Sequence, residues 1–238
     1  MAEFYNSFGI NSTPSHTLAD SALDKRIGGI YYQPSTGGTA DHGLRPGLLI
    51  GQQYADAALT VKLKDRKNNF LSYTPNIAAD LRETGNDLEI TGIRGIKYYP
   101  DYSNNGQNYG DGKAGNWLML FRYPEAVLMV AEAKMRSAAP DNAGALLMVN
   151  NLRAARGAAP LPTMTLVNTS DVYAKNTLLA ERGRELWWEA IRRTDLVRFG
   201  VFTTAWAYKN ASSNKYLVYP IPTQALAANP NLKQNPEY

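Results

Sequence analysis

Leu179–Gly200 reads LAERGRELWWEAIRRTDLVRFG, and the helical period of the chain is plainest there. Leu179, Gly183, Leu186, Trp187, Ala190 and Ile191 recur at the spacing of one helix face, which predicts a long helix from about Val172 to Arg193 with that face buried. Glu181, Glu185 and Glu189 stand four residues apart among Arg182, Arg184, Arg192 and Arg193. Carboxylates and guanidiniums at such spacing are neighbours on a helix, so compensating ion pairs are the plain reading. The competing reading is a pair of catalytic acids facing each other across a cleft.

Two further helical stripes lie upstream. Val127, Leu128, Ala131, Met135 and Ala138 form one, and Ala145, Met148, Val149, Leu152 and Ala155 the other, joined through Pro140, Asp141 and Asn142. So short a connection predicts two antiparallel helices. The side chain of Asp141 or Asn142 is placed to accept from free amides at the second start, and Gly157 to take the left-handed conformation that ends it. Such a hairpin is similar to a tetratricopeptide unit, which needs neighbouring repeats to cover its apolar face. The expectation is therefore that further helical pairs lie in a longer protein, amino-terminal to this segment. Downstream, NPNLKQNPEY predicts an irregular tail held by packing of Leu232 and Tyr238.

Before about Gly115 the texture changes to Gly, Asn, Ser and Tyr with short β-like runs, GGIYYQ, LTVKLK, NNFLSYT and LEITGIRGIKYYP, separated by turn residues. A short helix is expected near Glu3–Phe8 and another near Ile77–Glu83. The chain thus divides into a loop-rich ligand-binding region with short strands at 1–115 and a helical region with an irregular tail at 116–238. The fold class is mostly α, a tetratricopeptide-like hairpin and a long helix packed against loops and a few short strands.

Composition narrows the chemistry. The 238 residues are 44% hydrophobic and 19% charged, which describes a globular chain. No apolar run approaches the length needed to span a bilayer, and the start MAEFYNSFGINS lacks the pattern of a secretory leader. With no cysteine there is no disulfide, thiolate zinc site or cysteine nucleophile. The net charge of +4 is mild, and the densest basic run, Lys62, Lys64, Arg66 and Lys67, alternates with Val61 and Leu63 like the solvated face of a strand, so nucleic acid is not an expected partner.

Two motifs are decoys. Gly110–Gly115, GDGKAG, has the glycine spacing of a dinucleotide loop, but SNNGQNY before it is no buried strand. Asp101, Ser103, Asn105 and Gly106 imitate the opening of a calcium loop, yet Gly112 stands where the bidentate glutamate belongs. Neither a metal nor another cofactor is expected. His16 and His42, the only histidines, lie among turn residues away from any nucleophile motif, so no catalytic residue is expected.

Four segments together resemble the carboxy-terminal portion of the RagB/SusD family: FRYPEAVLMVAEA, NNLRAARG, LAERGRELWWEAIRRTDLVRFG and LVYPIPTQALAANPNLKQNPEY. Glu181, Arg182, Glu185, Leu186, Glu189, Arg192, Arg193, Asp195, Leu196, Arg198, Phe199 and Gly200 fall on its pattern E-R-x-x-E-L-x-x-E-G-x-R-x-x-D-L-x-R-F-G. Gly183 stands where a second arginine is common and Ala190 where glycine is usual. DKRIGG, GLLIGQQY, TGIRGIKYYPDYS and NWLMLFRYPEA also follow the family's order. The resemblance implies a surface lipoprotein of the Gram-negative outer membrane that holds nutrient glycan, such as a starch-like polymer, without cleaving it and hands it to a TonB-dependent channel. It implies membrane association only through a lipid anchor outside this chain, and a structural role for Arg122, Glu181, Arg182, Glu185, Arg192, Asp195 and Arg198.

Ligand residues in this family lie on variable loops, so they are sought by chemistry. Sugar rings present CH faces to aromatic rings, while their hydroxyls seek amides and charged groups. Tyr31, Tyr32, Tyr54, Tyr98, Tyr99, Tyr102 and Tyr109, with Asn104 and Asn105, are the candidates in the loop-rich half. Strand alternation predicts that one of Tyr98 and Tyr99 is buried and the other exposed. Trp117, Trp187 and Trp188 read as packing residues, and Trp206, beside polar ASSN, as the tryptophan able to reach a surface site. The rival functions are a helical-repeat adaptor for a protein partner and a glycan-cleaving enzyme.

Overall fold

The computed structural model describes residues 2–8, 23–28, 47–55, 59–74, 90–98, 119–206 and 209–238. Helices dominate these residues, with a few short strands. They are α1 (Ala2–Asn6), α2 (Tyr123–Arg136), α3 (Asn142–Ala155), α4 (Leu178–Leu186), α5 (Arg192–Arg198) and α6 (Thr223–Ala228). The strands β1 (Gly47–Leu49), β2 (Gly51–Gln52), β3 (Ser72–Tyr73) and β4 (Arg94–Ile96) form two antiparallel pairs. In one pair Leu48 faces Gly95; in the other Gly51 faces Tyr73.

The expected hairpin is α2 and α3, which pack on each other. Pro124 sits in the first turn of α2, where its missing N–H costs nothing, and Leu128, Ala131 and Met135 form the buried stripe. Asp141 caps α3 by accepting from the Gly144 amide at 2.8 Å, and Gly157 follows its end at φ 70°. Ala145, Val149 and Leu152 face the partner helix. The short helix expected near Glu3–Phe8 is α1; the one expected near Ile77–Glu83 lies outside the described residues.

The long helix expected from Val172 to Arg193 is instead two. Thr177 caps α4 by accepting from the Ala180 amide at 3.1 Å, so the helix starts there and not at Val172. After Leu186 the backbone turns extended at Trp187 and left-handed at Trp188 (φ 61°) and Ala190 (φ 60°), then re-enters helix as α5. Side-chain ties formed by Glu189, described below, hold the turn where the local pattern would have continued.

Every residue of α4 is buried. It packs against α2 on one side and α5 on the other, within a core of Leu128, Val149, Leu178, Leu179, Leu186 and Phe199 among others. A second apolar cluster, Phe4, Tyr5, Phe8, Ile27, Leu48, Ile50 and Ile93, joins α1 to β1 and its neighbours, and Tyr173 packs against both clusters. The tail is held differently from the expectation. Leu232 and Tyr238 are 40% and 42% exposed, while the Gln234 amide clamps both backbone groups of Ile221 (2.8 and 2.9 Å) and the Tyr238 hydroxyl donates to the Lys215 carbonyl. No described helix is long and apolar enough to cross a membrane.

Candidate functional site

Burying α4 buries its charges, and isolated charges in a protein interior are costly unless each is paired and hydrogen-bonded. The fold meets this by bringing cations from distant segments. Glu181 accepts from Arg26 at 2.6 Å on one oxygen and from Arg153 (2.8 Å) and Arg184 (2.6 Å) on the other. Burial pushes its carboxyl up, but Arg184, Arg26 and Arg153 outweigh this and hold it well below the usual carboxylate range. Arg26 also binds Asp24 at 2.7 Å.

One turn on, Glu185 is shared by three guanidiniums: Arg122 (3.1 Å), Arg156 (2.7 and 3.1 Å) and Arg26 (3.4 Å). Glu189, beyond the helix end, takes a two-pronged contact from Arg122 (2.8 and 2.9 Å) and a short contact from Lys97. A second network ties α4 to its neighbours: Arg182 donates to Asp195 at 2.9 Å, and Arg198 bridges Asp195 (2.7 Å) and Glu132 (2.8 Å). Arg192 donates to the Leu179 carbonyl at 2.7 Å. Arg122, Glu181, Arg182, Glu185, Arg192, Asp195 and Arg198 therefore all make interactions between segments, and for the glutamates the partners come mostly from outside their own helix.

These carboxylates are poor candidates for acid catalysis. A general acid needs a raised pKa, whereas burial loses to Arg122 and Lys97 at Glu189, and to Arg198 and Arg136 at Glu132, leaving both below the ordinary value. Among the described residues no group of His, Asp or Glu is arranged to hold a metal ion.

Two hollows meet at Trp187. The larger, about 400 Å³, is a cleft bounded by Lys25, Arg26, Lys97, Arg122, Arg156 and Glu185, with Trp187 as its aromatic side. The smaller, about 190 Å³, is apolar and lies between Phe4, Tyr173, Leu186, Trp187 and Trp188, with Arg182 and Arg192 at its edge. Trp188 stands edge-on to Trp187 with ring centres 5.7 Å apart, and it is 57% exposed. A large aromatic side chain in the left-handed region and open to solvent is doubly unfavourable, a form of local strain that collects at functional sites.

Of the tyrosines and asparagines proposed to touch ligand, Tyr31, Tyr32, Tyr99, Tyr102, Asn104, Asn105 and Tyr109 lie outside the described residues, as do Trp117, His16, His42 and all of 101–115. Tyr54 is half-buried, bridges Lys62 through the backbone and lines neither hollow. Tyr98 is 39% exposed and follows Lys97 of the cleft; burial and the nearby Glu189 push its hydroxyl pKa up. The tryptophans reverse the sequence expectation. Trp206 packs edge-on against Tyr173 at 5.8 Å and donates to the Val201 carbonyl, whereas Trp188 is the exposed one. The only sequence signal for this ridge is the adjacent Trp pair, of which Trp187 lies on an apolar stripe, so that both read as packing residues.

Residues 67–238 match the profile of the SusD family. Over 129 residues, half of this chain, the sequence is 36% identical to the starch-binding protein SusD of Bacteroides thetaiotaomicron. Over 126 residues, 51% of the chain, it is 30% identical to the SusD-like protein P38 of Formosa agariphila. These stretches span 21% and 24% of the two relatives' own length. Among solved structures, a SusD superfamily protein from Parabacteroides distasonis overlays 71% of this chain and 36% of its own with a TM-score of 0.46 at 20% identity.

Proposed function

This chain belongs to the SusD family, and from that premise we propose that it binds nutrient glycan at the cell surface without cleaving it, and delivers the glycan to a TonB-dependent transporter of the outer membrane. The observation that carries this reading is the ridge of Trp187 and Trp188, an exposed indole held in a strained backbone between two hollows. Such a ring offers a flat apolar face to a sugar, and the surrounding guanidiniums and amides offer donors to its hydroxyls. The starch-binding relative supports glycan as the ligand class. Capture of this kind uses no cofactor. Guanidinium partners hold Glu181, Glu189 and Glu132 below the ordinary carboxylate value, which supports binding over hydrolysis, since the acid half of an acid and base pair needs a raised one.

Two separate apolar clusters support dividing the chain near residue 115 into a recognition region and a helical brace. A protein-docking role accompanies the first reading. Phe121 and Tyr123, at the start of α2, are 85% and 82% exposed, and Met129 and Val130 continue the apolar surface along the helix. Contiguous apolar surface of this kind marks an interaction site, and the transporter is the partner proposed for it. Calorimetric titration of the purified protein with maltoheptaose and with a panel of plant and algal oligosaccharides tests the glycan reading. Binding without release of shorter products supports it, while product formation or the absence of any binding overturns it.

A further inference from the structure

The cleft beside Trp187 carries more positive than negative charge. Along the ion-pair network that forms its wall, Arg26, Lys97, Arg122, Arg153, Arg156 and Arg184 meet Asp24, Glu181, Glu185 and Glu189, so two cationic charges are left over among the described residues. Lys25 adds a third at the rim, with its stem lying across Gly157. Among the described residues Glu185 is the one acidic side chain bounding the cleft, and each of its oxygens already accepts from two N–H groups. A carboxylate has about four acceptor sites. It is therefore saturated, while the side chains of Arg122, Arg156 and Lys97 remain partly exposed, Arg156 the most at 32%.

We infer that this cleft selects an acidic saccharide, one carrying a uronate carboxylate or a sulfate ester, with the anion against Arg156, Arg122 and Lys25 and a sugar face on Trp187. The inference rests on the glycan reading above and names its ligand class. Three observations point the same way. The surplus charge sits in a concave site with protein walls, where field lines are focused and anions concentrate. Guanidinium forks match the geometry of carboxylate and of sulfate oxygens. The volume of about 400 Å³ falls in the range of small-molecule sites, enough for one or two sugar rings at a time. A neutral glucan would leave the excess charge uncompensated and gain only the stacking and the hydrogen bonds to its hydroxyls.

The test is calorimetric titration of the purified chain at low salt with three tetrasaccharides of similar size: tetragalacturonate, a κ-carrageenan tetrasaccharide and maltotetraose. At least one acidic ligand should bind about tenfold more tightly than the neutral one, and its advantage should shrink as salt screens the cleft. The two acidic ligands distinguish carboxylate from sulfate as the preferred anion. Lys25→Gln, an exposed change that leaves the fold alone, should weaken acidic binding about fivefold and leave maltotetraose unchanged, while Arg156→Gln, which leaves Glu185 two other guanidiniums, should weaken acidic binding about fivefold and maltotetraose by less than about twofold. Lys233→Gln, which does not bound the cleft, should change neither. Equal or better binding of maltotetraose, insensitive to Lys25→Gln, would overturn the acidic preference while keeping the glycan reading. Failure of all three saccharides would overturn this inference, and the glycan reading falls with it when the wider oligosaccharide panel fails as well. Tighter binding of a ten-nucleotide single strand than of any saccharide would overturn the inference and assign the charge to nucleic acid.

Discussion

The guanidinium of Arg192 lies over Gly183: a Cβ built on that glycine would sit 3.0 Å from Nη1. The glycine is thus the space through which Arg192 reaches the Leu179 carbonyl. Gly183→Ala should gain about 1 kcal/mol of helix propensity. It should lose about 2 kcal/mol by displacing a buried charge-assisted hydrogen bond. The expected net is a destabilisation of about 1 kcal/mol, read as a lower urea midpoint at unchanged slope. A stabilised Gly183→Ala would show that Arg192 moves aside freely.

Glu181 is the fully buried carboxylate shared by three guanidiniums. Glu181→Gln keeps its shape and removes its charge, leaving Arg26, Arg153 and Arg184 converging on a neutral amide. Removing one partner from a buried ion network costs about 3–5 kcal/mol. At about 2–4 °C per kcal/mol for a chain of this size, the melting temperature should fall by roughly 10 °C. A change of less than about 1 kcal/mol would mean that water already reaches the site.

The two left-handed residues of the 187–191 turn make predictions of opposite kind. Ala190 stands at φ 60°, so Ala190→Gly should stabilise the protein by about 1 kcal/mol through relief of that conformation and leave glycan binding as it was. Trp188→Gly should relieve similar strain but weaken glycan binding about tenfold, the value of one lost stacking ring. Stability rising while affinity falls is the signature of strain kept for a ligand. Loss of both together would make Trp188 a packing residue.

What the sequence revealed and what it concealed divide by the range of the interactions involved. The α2 and α3 stripes, the Asp141 cap and the Gly157 stop depend on residues within a turn or two of one another, and the structure buries Leu128, Ala131 and Met135 and then Ala145, Val149 and Leu152 where periodicity placed them, while Ala138 falls beyond the end of α2 and Ala155 is exposed. The break after Leu186 depends on Glu189 reaching Lys97 and Arg122, 92 and 67 residues away, and no local pattern announces it. The ion pairs were legible as pairs, but as neighbours along one helix; that Arg26 and Arg153 supply much of the charge follows only from folding. Trp188 shows the same limit. A tryptophan beside an apolar stripe reads as packing, and only the left-handed turn brings it to the surface.

Acid should unfold this protein through its paired glutamates. Glu181, Glu132 and Glu189 all have folded-state pKa values held below the ordinary 4.5, in each case by guanidinium or ammonium partners that outweigh burial. A depressed folded value means that the unfolded chain takes up protons first as the pH falls. The stability these groups contribute is therefore complete above the unfolded value and is lost progressively below it, down to the folded values. Thermal melts should be nearly constant from about pH 8 to about pH 6 and should fall by more than about 10 °C by about pH 3. Glu189→Gln removes one of the three groups at the edge of the network, so its melting curve should start lower at neutral pH and decline less steeply in acid. Parallel pH profiles for the two proteins would show that Glu189 titrates alike in the folded and unfolded chain, and that its contacts with Arg122 and Lys97 contribute nothing to folding.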